Sequence, residues 1–185
     1  MKTTIQSSLR GAAFLLATSL AATLTAQTTE TKSSVTTTAT SSTTDATKLA
    51  HHDHAFIEKA AKCGMKEVAV SQAVMGSLTN PQVREFANSM VTDHTAANNE
   101  LATLAATKGV ILSAADPKTT EKWSDKSGNV DKKYLHEMIE DHEDAVKLFE
   151  KACKSADADI AAFAQRTLPT LQHHLQMAED LKKTL

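Results

Sequence analysis

Residues 80–109 read NPQVREFANSMVTDHTAANNELATLAATKG. Apolar or small side chains recur at three- and four-residue spacing, at Val83, Ala87, Met90, Ala97, Leu101 and Leu104. That is the stripe of an α-helix with one buried face. Asn80 is a helix-capping residue type, and Pro81 suits the first helical position, where no amide hydrogen is needed. Gly109 suits the turn that stops a helix. One ionisable residue interrupts the stripe near its middle: His94.

The same pattern recurs three times. A first helix over about Asp53–Leu78, with Asp53 as its cap, carries Phe56, Ala60, Cys63, Val70 and Val74, interrupted by Glu67. A third over about Val130–Lys154 carries Leu135, Met138, Ala145 and Phe149, interrupted by His142. A fourth over about Ala158–Lys183 carries Ile160, Ala164, Leu168, Leu171, Ala178 and Leu181, interrupted by His174. Pro169 lies inside the fourth and predicts a kink. Between helices two and three, Asp116-Pro117 marks the start of a short helix near Lys118–Ser124, which Gly128-Asn129 breaks. Four long helices with two short connections and one long one predict an all-α four-helix bundle.

Composition agrees. Of 185 residues only 4% are aromatic, with 5 Gly and 3 Pro, too few for the strands and turns of a β-sandwich or barrel. The formal net charge of −2, with no Lys- or Arg-rich stripe, argues against nucleic acid as a partner.

Residues 1–26 lie outside the predicted bundle. Lys2 and Arg10 precede an apolar run from Ala12 to Leu24, followed by small residues that offer cleavage after Ala26 or Ala22. This is the pattern of a secretory signal peptide, and the run is short for a transmembrane helix of about 20 residues. It predicts a periplasmic or secreted protein. Residues 27–50 are dominated by Thr and Ser and have few apolar side chains to bury, so they read as a flexible linker. No long apolar run follows, so no transmembrane segment is predicted in the mature chain. The bundle domain is 51–185.

The four interruptions agree in height. Glu67 and His94 are equally far from the Asn80-Pro81 turn, and His142 and His174 about equally far from a turn near Asp157. One carboxylate and three imidazoles thus meet in a dry core, where they must be paired or bound. The set Glu67, His94, His142 and His174 suits one transition-metal ion: Zn, Fe, Mn or Cu. The alternative is a hydrogen-bonded polar layer that only sets helix register. Asp93 and Asp141 each precede a seam histidine. They are candidates to accept an imidazole N–H from a neighbouring helix, or they are solvated acids. His51, His52 and His54 form either a second metal-binding cluster or an exposed helix start. His136 and His173 lie off the seams.

The segments DHAFIEKAAKCGMKEV, VREFANSMVTDHTAANNEL, YLHEMIEDHEDAVKLFEKA and AFAQRTLPTLQHHLQMAEDL together resemble the bacterial domain-of-unknown-function family numbered 4142. The resemblance covers about His51 to the C-terminus. It rests on the EV of helix one, the two DH pairs and LPxLxxHL, and it carries over Glu67, Asp93, His94, Asp141, His142 and His174. It implies export and a ferritin-like bundle whose long connection crosses its length, so that helices two and three run parallel. It implies no activity. Glu-x-x-His pairs of di-iron carboxylate proteins are absent, since Val91, Ile139 and Leu171 stand three before the histidines.

Given that topology, Met90, Met138 and Met177 fall on one side of the histidine layer, and thioether with imidazole suits Cu(I). Otherwise they fill gaps in the core. Cys63 and Cys153 differ in height by roughly 10 Å at 1.5 Å per residue, too far for a disulfide. Three functions remain: an exported metal-binding bundle, a non-catalytic envelope interaction or stress module, and a metal-dependent redox enzyme. No nucleophile–base pair or phosphate loop supports hydrolase or transferase chemistry.

Overall fold

A computed structural model describes residues 49–124 and 128–185; the predicted signal peptide and nearly all of the predicted linker lie outside them. Four long helices account for most of the described residues: α1 (His51–Val74), α2 (Pro81–Thr107), α3 (Val130–Ala152) and α4 (Ala158–Lys183). A short 3₁₀ turn, Met75–Ser77, follows α1, and a 3₁₀ segment, Pro117–Trp123, lies in the long connection. Among the described residues there is no strand. No helix there is long and apolar enough to cross a membrane.

The caps form largely as their residue types dictate. Asn80 Oδ1 accepts from the amides of Gln82 and Val83, and Asp157 Oδ1 from those of Asp159 and Ile160. Asn129 starts α3 through the Lys132 amide. Gly109, at φ 69°, closes α2 in the left-handed region where an L side chain is strained. Asp53 departs from its predicted role. The helix already begins at His51, and Asp53 is buried, its Oδ1 accepting from Ser155 Oγ at 2.8 Å. It ties the start of α1 to the α3–α4 turn. The segment after Asp116 is 3₁₀ rather than α, and it delivers Trp123 into the core against Tyr134. α4 runs unbroken through Pro169.

Two polar clamps establish the topology. At one end, Asp131 at the start of α3 accepts from the Thr79 and Asn80 amides, each at 3.1 Å, and from Thr79 Oγ1 at 2.5 Å, beside the start of α2. At the other, Lys108 at the end of α2 pairs with Asp157 and Asp159 at the start of α4, both at 2.7 Å. Helices α2 and α3 therefore begin at the same end and run parallel, and the long connection traverses the bundle. Helix α1 packs on α2 and α3, and α4 on α3 and α2.

The core is divided in two. Towards the Asp157 end lie Phe56, Ile57, Leu101, Phe149, Ile160, Phe163 and Leu171. Towards the Asp131 end lie Val70, Val83, Phe86, Met90, Tyr134, Leu135 and Met138. Each large apolar side chain so buried contributes about 1.5–3 kcal/mol. Between the two halves sit Glu67, His94, His142 and His174, all at 5% exposure or less. Burying such groups has a cost that only hydrogen bonds or a bound ion can offset.

Candidate metal centre

Each helix places one member of the layer. His94, His142 and His174 form a mutual triangle of rings, with centroid separations of 5.3, 5.3 and 5.6 Å. One ligand nitrogen from each lies within 4.8 Å of the others, the only such group of three His, Cys, Asp or Glu among the described residues.

The outer nitrogens decide the proton positions. His94 Nδ1 is 2.9 Å from Glu67 Oε2, so its N–H donates to the carboxylate. His142 Nδ1 is 2.8 Å from the Met138 carbonyl, an acceptor only, so this nitrogen carries the proton. His174 Nε2 is 3.0 Å from Asp93 Oδ2, and again the imidazole donates. In neutral imidazoles these bonds leave lone pairs on His94 Nε2, His142 Nε2 and His174 Nδ1. His142 Nε2 is buried and has no hydrogen-bond partner. His94 Nε2 and His174 Nδ1 face each other at 3.3 Å. Two lone pairs at that distance repel unless a proton or a cation lies between them.

Electrostatics favours the neutral form at two of the three rings. Burial holds His142 below the ordinary imidazole value, and neighbouring His94 adds to this against the opposing pull of Glu67. Burial also lowers His174, with His94 and His142 adding, to about 4, while Asp93 opposes. For Glu67 burial pushes upward, but the His94 hydrogen bond and charge outweigh it, so the group stays below the usual carboxylate value.

Asp93, half-exposed, accepts from His174 on another helix. Asp141 does not. It faces α1, where Lys66 Nζ approaches its two oxygens at 2.8 and 2.6 Å. A full ammonium outcompetes a neutral imidazole N–H for a carboxylate. Glu67 also differs from the expected fourth ligand, because its Oε2 holds the outer nitrogen of His94 rather than joining the cluster. Its Oε1 is 3.6 Å from His142 Nδ1, beyond hydrogen-bond length, since that proton goes to Met138.

Met90, Met138 and Met177 all pack in the Asp131-side core, on one side of the layer. Met138 serves the site through its backbone carbonyl. His51, His52 and His54 are exposed at the start of α1, and His136 and His173 face solvent. Cys63 and Cys153 are free thiols. Sequence reading passed over Lys66, which also pairs with Glu137 at 3.1 Å, and the Met138 carbonyl. The signal for Lys66 is its position beside Glu67, turned towards α3; a backbone acceptor leaves no signal in side-chain identity.

Fold and site together define an all-helical bundle with a buried triad of histidines at mid-height. The chain belongs to the family described as "Domain of unknown function (DUF4142)", whose profile it matches over residues 36–181. A solved structure, "Crystal structure of DUF305 fragment from Deinococcus radiodurans", is similar with a TM-score of 0.65 at 11% identity, covering 74% of this chain and 98% of that one. At that identity the likeness concerns the fold. No curated protein matches.

Proposed function

We propose that this protein is an exported metal-binding bundle that takes one transition-metal ion on His94 Nε2, His142 Nε2 and His174 Nδ1. The observation that carries this reading is the hydrogen bonding of the outer nitrogens. Glu67, the Met138 carbonyl and Asp93 each accept from one imidazole, so all three inner nitrogens are free to donate to a cation. Buried imidazoles oriented by such acceptors are the usual construction of a histidine metal site. Three imidazoles suit Zn, Cu or Fe, and leave a coordination position beyond the protein's own ligands. The basic, apolar and small-residue pattern of residues 1–26 supports export, which places the site in the periplasm or outside the cell.

The test is metal analysis and calorimetric titration of the purified chain with Zn(II), Cu(I) and Fe(II). One ion per chain is expected, with loss of binding in His94→Ala/His142→Ala. If no ion binds and chelator leaves thermal stability unchanged, the layer only fixes helix register. Met90→Leu with Met138→Leu asks whether the adjoining thioethers matter. A selective fall in Cu(I) affinity brings them into the site, and unchanged affinity leaves them as core packing.

A further inference from the structure

Another group of ligand-type side chains lies on the surface at the start of α1. His54 Nδ1 is 3.2 Å from Oε2 of Glu58, one turn further along the helix. Both side chains are open to solvent, at 47% and 54% exposure. His51, one turn earlier, is exposed as well. At about 100° per residue, His51, His54 and Glu58 fall within a roughly 60° arc of one helix face. His52 falls outside that arc. Its Nε2 is 3.2 Å from Oδ1 of Asp53, the oxygen that also accepts from Ser155 Oγ.

The spacing of the pair fits a metal ion. Bonds of about 2.0–2.2 Å to nitrogen and oxygen put two ligand atoms roughly 3.0 Å apart at 90° and roughly 3.4 Å apart at 109°. The 3.2 Å between His54 and Glu58 lies between those values. Among the described residues no lysine or arginine pairs with Glu58, so its charge is left for a cation. A pair of the same helical spacing on α3, His136 and Glu140, is 3.7 Å apart, and Lys182 Nζ sits 3.2 Å from His136 Nδ1. That ammonium repels a second cation, so residue type and spacing alone do not make a site.

The geometry points to a second metal site at the start of α1, held by His54 Nδ1 and Glu58 Oε2 with His51 as third ligand. It takes a divalent transition-metal ion such as Cu(II) or Zn(II), for which imidazole nitrogen with one carboxylate oxygen is a suitable donor set. His51 joins by changing rotamer, which its exposure permits. Ligation through Nδ1 leaves the His54 proton on Nε2. Glu67 lies thirteen residues beyond His54 on α1, roughly 20 Å along the axis, so the surface ion and the buried triad are separate. The inference stands whether or not the triad binds metal.

The experiment is titration of the untagged full chain with up to two equivalents of Cu(II), followed by calorimetry and by paramagnetic broadening in ¹⁵N–¹H spectra. Broadening centred on the amides of His51, His54 and Glu58 is expected by the second equivalent, whichever site fills first. His51→Ala, His54→Ala and Glu58→Gln, all at exposed positions, are each expected to weaken this site about tenfold or more, while His52→Ala and His136→Ala stay within about threefold of wild type. No broadening at the start of α1 overturns the proposal. So does broadening that survives His54→Ala. Equal losses in His52→Ala and His54→Ala also overturn it, because they mean loose chelation by adjacent histidines rather than a site set by the helix face. These signals report the start of α1 alone, so an empty triad leaves the result readable.

Discussion

Replacing Asp93 by Asn separates the chemistry of the site from the stability of the fold. Asp93 accepts from His174 Nε2 at 3.0 Å, yet its own side chain is 44% exposed while that of His174 is 1% exposed. A hydrogen bond from a neutral imidazole to a carboxylate that is open to solvent on one side adds only about 1 kcal/mol or less to folding, because water competes for the exposed acceptor. Its influence on a bound ion is larger, because the carboxylate keeps the proton on Nε2 and makes Nδ1 a better donor. Losing such a partner typically lowers metal affinity about 10–100-fold, equivalent to about 1.4–2.7 kcal/mol. Asp93→Asn is therefore expected to lose one to two decades of Zn(II) affinity while the urea midpoint of the metal-free chain barely moves. Competitive titration against a chromophoric chelator measures the first, and circular dichroism in urea the second. Affinity within about threefold of wild type, in a protein that His94→Ala leaves unable to bind, would refute the tautomer argument.

Asp141→Asn provides the contrast, because Asp141 pairs with Lys66: Zn(II) affinity should stay within about threefold of wild type by the same titration, and a decade of loss would return Asp141 to the site. Asp131→Asn should destabilise the chain by about 2 kcal/mol in urea, since a carboxylate accepting from Thr79 and Asn80 becomes a weaker, neutral acceptor. Burial raises the Asp131 carboxyl, but those hydrogen bonds together hold it below its ordinary value. Its contribution is thus present above about pH 4 and is lost as pH falls through the folded-state value, and acid melts of wild type and variant should converge there. His174 carries a second pH dependence. Its folded value of about 4 is below that of an unfolded imidazole, near 6.5, so the unfolded chain binds the extra proton first. Metal-free stability should fall as pH drops from about 6.5 towards 4, less steeply in His174→Gln. Equal slopes would show that another group titrates.

Much of this arrangement is legible in the sequence because it depends on period and distance. Helix spacing places Glu67, His94, His142 and His174 on inward faces, and equal chain lengths from the turns bring them to one level. What spacing cannot give is the competition between partners. Asp53 has the chemistry of a cap, but Ser155, more than 100 residues away, offers a buried hydroxyl that only tertiary packing brings near. Asp141 and Asp93 both precede a seam histidine in a DH pair. They differ because Asp141 faces the helix carrying Lys66, whereas Asp93 faces His174. Glu67 reads as a ligand until the ring orientation of His94 is known. The Met138 carbonyl belongs to the backbone, and no residue type announces it.

The most direct test of the central claim is the protonation pattern of the three imidazoles in the zinc-loaded chain, read from long-range ¹⁵N–¹H correlation spectra with one equivalent of Zn(II). Coordination through His94 Nε2, His142 Nε2 and His174 Nδ1 is expected, with protons retained on His94 Nδ1, His142 Nδ1 and His174 Nε2. Spectra that do not change on adding zinc, or zinc bound through any of the three outer nitrogens, would contradict it.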